Sequence, residues 1–105
     1  MSDRLTQLTF LHEADPTDPF CTYGIAMEHE KAGRHDEAVD WLKKTIEIDR
    51  TYCYAFYHMA KIHSDCGNDD EARRVLDGGM QAARTSGDEH ALSEMQELLE
   101  ALDES

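Results

Sequence analysis

Two stretches of the chain decide its fold: residues 23–51, YGIAMEHEKAGRHDEAVDWLKKTIEIDRT, and residues 57–85, YHMAKIHSDCGNDDEARRVLDGGMQAART. They are related by a shift of 34 residues, a period typical of helix-turn-helix repeats. Ten positions are identical at this shift, where chance would give on the order of two. The identical pairs are Tyr23/Tyr57, Ala26/Ala60, His29/His63, Gly33/Gly67, Asp36/Asp70, Glu37/Glu71, Ala38/Ala72, Leu42/Leu76, Arg50/Arg84 and Thr51/Thr85.

The matched positions fit two antiparallel helices joined by a short turn. Ala26 and Ala38 carry small side chains that let the two helices approach closely. Gly33 can adopt the left-handed conformation that ends the first helix, and Asp36 is expected to cap the second, as Asp70 would in the next repeat. Because one hairpin cannot bury its apolar stripe alone, neighbouring hairpins are expected to stack.

The register extends beyond the two full repeats. A half unit precedes them, and its matches are Leu8/Leu42, Glu13/Glu47, Asp15/Asp49 and Thr17/Thr51. After them, apolar residues at helical spacing form one face of an acidic helix typical of a solenoid cap. We predict a single domain over residues 1–105, with a half repeat at 2–18, repeats at 19–52 and 53–86, and an acidic capping helix at 87–105.

Six helices and no strand follow from this pattern, at about 2–14, 19–32, 36–49, 53–66, 70–84 and 88–103. A break is expected at residues 85–87. The Gly78-Gly79 pair has two interpretations: a close approach of the capping helix at Gly79, or a softened helix.

Charge and composition narrow the class of protein. The net charge is −13, and residues 87–105 contain seven acids and no base, so a nucleic-acid partner is not expected. No apolar run approaches the ~20 residues that cross a bilayer, and the N-terminus lacks secretory-signal features, so we expect no membrane association and a cytoplasmic location. Three cysteines without a C-x-x-C pair indicate reduced thiols.

No pattern of residues predicts a metal site, a cofactor or catalysis. The six histidines include no H-E-x-x-H spacing, and the acidic turn at residues 65–71 lacks the alternation of a calcium loop. His29 and His63, which share a repeat position, are interpreted as packed and hydrogen-bonded imidazoles. We therefore predict no catalytic residue, no metal ligand, no cofactor and no enzymatic activity.

The spacing of Ala26, Gly33, residues 36–38 and Leu42, repeated 34 residues later, resembles the tetratricopeptide repeat over residues 2–86, in a small bacterial-type domain of two and a half repeats. The chain departs from that pattern at Thr22, where the family has a large aromatic, and at Arg50, where it usually has proline. The resemblance implies an all-α fold. Antiparallel helical hairpins would stack as a short right-handed superhelix that ends in a C-terminal capping helix.

The resemblance also implies a concave groove lined by the first helix of each hairpin. Its residues would be Phe20, Tyr23, Gly24, Met27, Tyr54, Tyr57, His58 and Lys61. Such an aromatic groove suits an apolar or extended peptide, although identity at the repeat shift leaves a purely structural role open for the two tyrosines Tyr23 and Tyr57. With Lys61 as the single base, a clamp for a terminal carboxylate is not expected. An acidic rim at Glu28, Glu30 and Asp65 would favour a basic partner.

The prediction for function is a protein–protein interaction module, an adaptor or scaffold, that holds a peptide segment of a partner in this groove. The alternative is an assembly element that associates weakly with itself, through the groove or through the region of Gly78-Gly79 and the capping helix.

Overall fold

The computed structural model describes residues 3–104, which form six α-helices and, over that range, no strand. The helices are α1 (Asp3–Ala14), α2 (Pro19–Lys31), α3 (His35–Ile48), α4 (Cys53–Asp65), α5 (Asp69–Ser86) and α6 (Glu89–Glu104). The all-α prediction is confirmed. None of these helices is both long and apolar enough to span a membrane.

The helices are grouped in two compact units, Met1–Asp49 and Arg50–Ser105. In the first unit α2 packs against both α1 and α3. In the second unit α5 packs against both α4 and α6, and α6 also contacts α4. Each unit thus contains one helical hairpin and one further helix.

Glycine ends the first helix of each hairpin, as predicted. Gly33 and Gly67 have φ angles of +78° and +83°. This is the left-handed region, which residues with a Cβ atom rarely adopt. The backbone N–H of Arg34 then donates to the carbonyl of His29 at 2.9 Å, which satisfies an otherwise free helix end. The turn between the two helices is therefore only three residues long, 32–34 and 66–68 in the two hairpins.

The predicted caps of the second helices are wrong by two residues. The N-cap positions are occupied by Arg34 and Asn68, neither of which makes a side-chain capping bond. Because the left-handed glycine reverses the chain in so few residues, Asp36 and Asp70 fall inside the first helical turn. Their carboxylates interact favourably with the positive end of the helix dipole, but they do not cap a backbone N–H.

True aspartate caps occur on α2 and α6. The Asp18 carboxylate accepts a hydrogen bond from the backbone N–H of Phe20 at 2.9 Å, and Pro19 follows at the first helical position. Asp88 likewise accepts from the N–H of Ala91 at 3.0 Å. The break predicted before α6 narrows to Gly87 and Asp88, since α5 continues to Ser86.

Each of the two units has buried apolar side chains of its own. In the first unit Leu5, Leu8 and Ile25 form a small cluster, against which Trp41 packs. The hydroxyls of Thr22 and Thr45 are buried and hydrogen-bonded at 2.8 Å, so a polar pair replaces the large aromatic of the family pattern. The core of the second unit includes the apolar face of the predicted capping helix. Its buried members are Cys53, Ala60, Ala72, Leu76, Met80, Ala82, Ala83, Ala91, Met95 and Leu102.

Gly79 is required by close packing. A Cβ atom at this position would lie 2.6 Å from the Cβ of Phe56 on α4 and 2.6 Å from the sulfur of Met95 on α6. Both distances are well inside van der Waals contact, so only glycine lets the three helices meet at this depth. The close-approach interpretation of the glycine pair is confirmed at Gly79.

Candidate functional site

Four of the predicted site residues form a continuous face on α4, here called the α4 face: Tyr54, Tyr57, His58 and Lys61. The Tyr57 ring lies edge-on to Tyr54, with centroids 6.2 Å apart, and edge-on to His58, with centroids 5.5 Å apart. The Lys61 ammonium lies 5.8 Å from the Tyr57 ring centroid, within the range of a cation–π contact. Tyr57 is therefore the centre of the face.

The α4 face is half-buried and rests on the core of the second unit. Tyr54 and Tyr57 pack against the buried cluster that includes residues of α5 and α6, while Lys61 is exposed. Burial raises the pKa of the Tyr54 phenol, and the charges of Glu94 and Asp88 raise it further. Tyr54 therefore keeps its proton at neutral pH and presents a hydroxyl to the face.

Glu94 of α6 belongs to this face and was missed by the sequence interpretation. Its carboxylate is hydrogen-bonded to Tyr54 and lies 2.7 Å from the imidazole of His90. The sequence did carry a signal, because Glu94 is three residues after Ala91 and four before Leu98, at the edge of the apolar stripe.

Three further site residues lie on α2, in the other unit, and form the α2 face: Phe20, Tyr23 and Met27. Phe20 is 58% exposed, whereas Tyr23 and Met27 are half-buried. Gly24, also expected in the groove, is buried, and a Cβ there would lie 3.0 Å from Leu8 of α1. This position therefore serves the packing of α1 on α2.

The predicted acidic rim is wrong at Glu28. Its side chain is 8% exposed and lies 3.4 Å from the ammonium of Lys31 and 3.9 Å from the guanidinium of Arg4. The carboxylate is buried and its charge is balanced by two cations, so it contributes little negative charge to a surface that a partner could contact. Of the other two acids, Glu30 is half-buried and Asp65 is exposed.

His29 is hydrogen-bonded, as predicted. Its Nδ1 accepts a bond from the Nε–H of Arg34 at 2.8 Å. Burial lowers the pKa of the imidazole, the charge of Arg34 lowers it further, and Glu37 partly opposes the shift. The neutral ring is therefore favoured, which matches its function as an acceptor.

The thiols are divided by burial. Cys21 and Cys53 are buried and Cys66 is exposed. Within residues 3–104, no group of three or more His, Cys, Asp or Glu side chains is arranged to hold a metal ion. The α2 and α4 faces present rings, a thioether and a few charges to a partner.

These features define the class as a helical-hairpin repeat protein, and comparison with known families agrees. A family model described as Tetratricopeptide repeat matches residues 23–52. A second model, described as Anaphase-promoting complex subunit 5, matches residues 47–105, more than half of the chain. The chain belongs to the tetratricopeptide repeat family.

Curated relatives include the Photosystem I assembly protein Ycf3 of Synechococcus elongatus, 34% identical over 73 residues. The match covers 62% of this chain and 42% of the relative, so the chain spans less than half the length of the curated relatives it matches.

Solved structures share the fold over most of the chain. The solution structure of a tetratricopeptide repeat domain protein from Salinibacter ruber has a TM-score of 0.78 and 31% identity, covering 84% of this chain and 89% of that one. A solution structure from Bordetella parapertussis has a TM-score of 0.84 at 21% identity, covering 99% and 90%, and supports the fold alone. The family is a non-enzymatic repeat scaffold whose fold generally mediates protein–protein interaction or assembly.

Proposed function

We propose that this chain is a protein–protein interaction module that binds a peptide segment of a partner on the first helices of its hairpins. The binding residues are Phe20, Tyr23 and Met27 on the α2 face, and Tyr54, Tyr57, His58 and Lys61 on the α4 face. The observation that carries the proposal is the Tyr57-centred cluster, in which two aromatic rings and an ammonium surround one tyrosine.

The chemistry of the α4 face favours an apolar or amphipathic segment. Half-buried rings held by a packed core offer contact area at little cost in side-chain entropy. Lys61 is the single base of the face, which leaves a terminal carboxylate with too few donors. The Glu94 carboxylate beside Tyr54 favours a donor or a positive charge on the partner.

The proposed affinity is modest. Two short helix faces provide limited contact area, so we expect dissociation constants in the micromolar range, or about −8 kcal/mol. Stronger retention of a partner would require several such contacts acting together.

A peptide-display selection against the wild-type protein, followed by titration of each selected peptide, tests the proposal. We expect Tyr57→Ala to weaken peptides that bind the α4 face about tenfold, and Phe20→Ala to do the same for peptides that bind the α2 face, because a ring contact in an interface contributes about 1–2 kcal/mol. Ile48→Ala is the matched control, since Ile48 is 37% exposed on α3, outside both faces. Selected peptides that bind both ring variants as tightly as wild type would exclude these faces.

Self-association through the same faces is the alternative. The exposed ring of Phe20 is available to a second copy as well as to a different partner. Light scattering over a concentration series separates the two functions. A molar mass that remains that of the monomer at high concentration would exclude self-association.

A further inference from the structure

Helix α1 leaves two large apolar side chains uncovered. Phe10 is 71% exposed and Leu11 is 50% exposed. Among residues 3–104, Phe10 is the most exposed large hydrophobic side chain. Together with Thr6 and Gln7 they line an open hollow of about 460 Å³. These four residues are here called the α1 face. Consecutive uncovered side chains of this size are unusual on a helix that already packs its other side.

The repeat register shows what covers this face elsewhere in the chain. Leu11 corresponds to Thr45 of α3 and, one repeat further, to Gly79 of α5. Thr45 is fully buried and hydrogen-bonded to Thr22 of α2. Gly79 is buried against Phe56 of α4. In both hairpins, therefore, the first helix of the hairpin covers this register position.

The neighbouring position is covered in the second hairpin, whereas in the first hairpin it is the exposed Lys44. Phe10 corresponds to Gly78, where an added Cβ would lie 3.3 Å from the Phe56 ring. One aromatic side chain of the first helix thus covers two glycines of the second. Helix α1 corresponds by register to the second helix of a hairpin. The sizes are reversed there, because α1 itself carries the bulky side chains. A helix that covers α1 must then present small side chains opposite Phe10 and Leu11.

A second cleft adjoins the α1 face within the same unit. It has a volume of about 490 Å³ and is bordered by Phe10, Leu5, Ile25 and Trp41. Since Phe10 borders both hollows, a helix seated on the α1 face would have an apolar recess beside it for one larger side chain.

Charge favours a basic partner over a second copy of the chain. Between residues 3 and 18 there are four acids and a single base, Arg4, which lies beside the buried Glu28. The whole chain carries a net charge of −13, so two copies repel each other while a basic segment is attracted.

We propose that the α1 face docks an amphipathic helix of a partner protein, antiparallel to α1. The partner helix has Gly, Ala or Ser opposite Phe10 and Leu11 and carries Lys or Arg along its polar side. It occupies the place that α2 and α4 hold in the two hairpins. This docking site is separate from the α2 and α4 faces and does not depend on peptide binding there.

Three synthetic helical peptides of about 18 residues, held helical by i,i+4 staples, test the proposal by fluorescence anisotropy with the full chain. The first has alanine along one face and lysine elsewhere. The second replaces the lysines by glutamates, and the third replaces the alanine face by leucines. We expect the first peptide to bind tightest, since it alone matches both the size and the charge of the face.

Leu11→Asp is expected to weaken binding of the first peptide at least about tenfold, because docking would then bury a carboxylate among apolar groups. The matched control is Ile48→Asp, which places the same charge at an exposed isoleucine of α3 and is expected to leave binding unchanged. Tyr57→Ala is likewise expected to leave it unchanged, which separates this site from the α4 face. Since Leu11 is half exposed, Leu11→Asp is expected to retain its helical circular dichroism, and Phe10→Ser provides a second variant of the face.

Several outcomes would overturn the proposal: no binding by the lysine-alanine helix, equal binding by the glutamate or leucine peptide, or undiminished binding to both Leu11→Asp and Phe10→Ser. A dimer of the wild-type chain that Leu11→Asp dissociates would also overturn it, since a second copy would then occupy the face.

Discussion

At the scale of single residues, the adjacent glycines of α5 have different environments. A Cβ at Gly79 would meet the Cβ of Phe56, which is attached to the backbone and cannot rotate away, at 2.6 Å. A Cβ at Gly78 would meet only the end of the same ring, at 3.3 Å. Identical residues in identical secondary structure are therefore under different constraints.

We expect Gly79→Ala to lower the free energy of unfolding by about 1–3 kcal/mol, because the overpacking outweighs a helix-propensity gain of about 1 kcal/mol. Gly78→Ala is the matched control. It brings the same gain in helix propensity, and the side chain it would contact, the ring of Phe56, can move. Its stability should therefore equal or exceed that of wild type. Urea denaturation of both variants measures the difference, and equal stability of the two would contradict the close-packing explanation.

His29 should make the stability of the fold dependent on pH. Its pKa is lowered in the folded state, so below the ordinary value of about 6.5 the unfolded chain takes up the proton first. Stability contributed by the neutral ring is therefore present above that value and is lost as the pH falls through the unfolded and then the folded pKa.

The measurement is the drop in melting temperature between about pH 7.5 and about pH 5.5, a window that spans the ordinary pKa of histidine. We expect His29→Gln to show a smaller drop than wild type. His35→Gln, at an exposed position, is the control and should behave as wild type does. An unchanged drop in His29→Gln would show that the titration of His29 does not contribute to the pH dependence of stability.

At the scale of elements, α6 has two functions, since it closes the core of the second unit and supplies Glu94 to the α4 face. Met95 connects these functions because it is fully buried beside Gly79. The sequence predicted the first function from the apolar stripe. It did not indicate the second, because the Tyr54–Glu94 contact joins two residues that are 40 positions apart in the chain.

Met95→Ala should destabilise the second unit by about 2–4 kcal/mol, through lost contacts and the cavity left behind. Ser93→Ala, at an exposed position of the same helix, should change stability by less than about 0.5 kcal/mol. Hydrogen exchange of α5 amides, compared between the two variants, measures the effect on this unit alone. Wild-type protection in Met95→Ala would show that α6 is not part of the cooperative core.

The second helices of the hairpins show how far local patterns reach. Their existence and apolar faces were predictable, because the spacing of apolar residues is a property of neighbouring positions. The caps were misplaced by two residues, because the depth of the turn depends on how a left-handed glycine brings the two helices together. The same limit applies to Glu28, whose ion pair with Arg4 joins α2 to α1.

At the scale of the whole molecule, the excess of acids should oppose folding. Residues 87–105 carry seven acids and no base, and the chain has a net charge of −13. We expect the melting temperature to rise by several degrees between about 50 and about 500 mM NaCl, because salt screens this repulsion.

A variant with Glu97→Gln and Glu100→Gln, both exposed on α6, should melt higher than wild type at low salt and gain less from added salt. An equal gain in both proteins would locate the repulsion outside the capping helix. Replacing Asp40 by Asn, at an exposed position of α3 in a segment where charges are nearly balanced, provides the comparison.

The repeat, the helices and the positions of the turn glycines were determined by the sequence alone, because each depends on residues close together in the chain and is written twice, 34 residues apart. Only the tertiary structure decided which side chains remain open to a partner. In that structure Gly24 is buried against Leu8, and Glu28 forms an ion pair with Arg4. Phe10 and Leu11 remain exposed. These outcomes depend on the distances between helices, which periodicity does not encode.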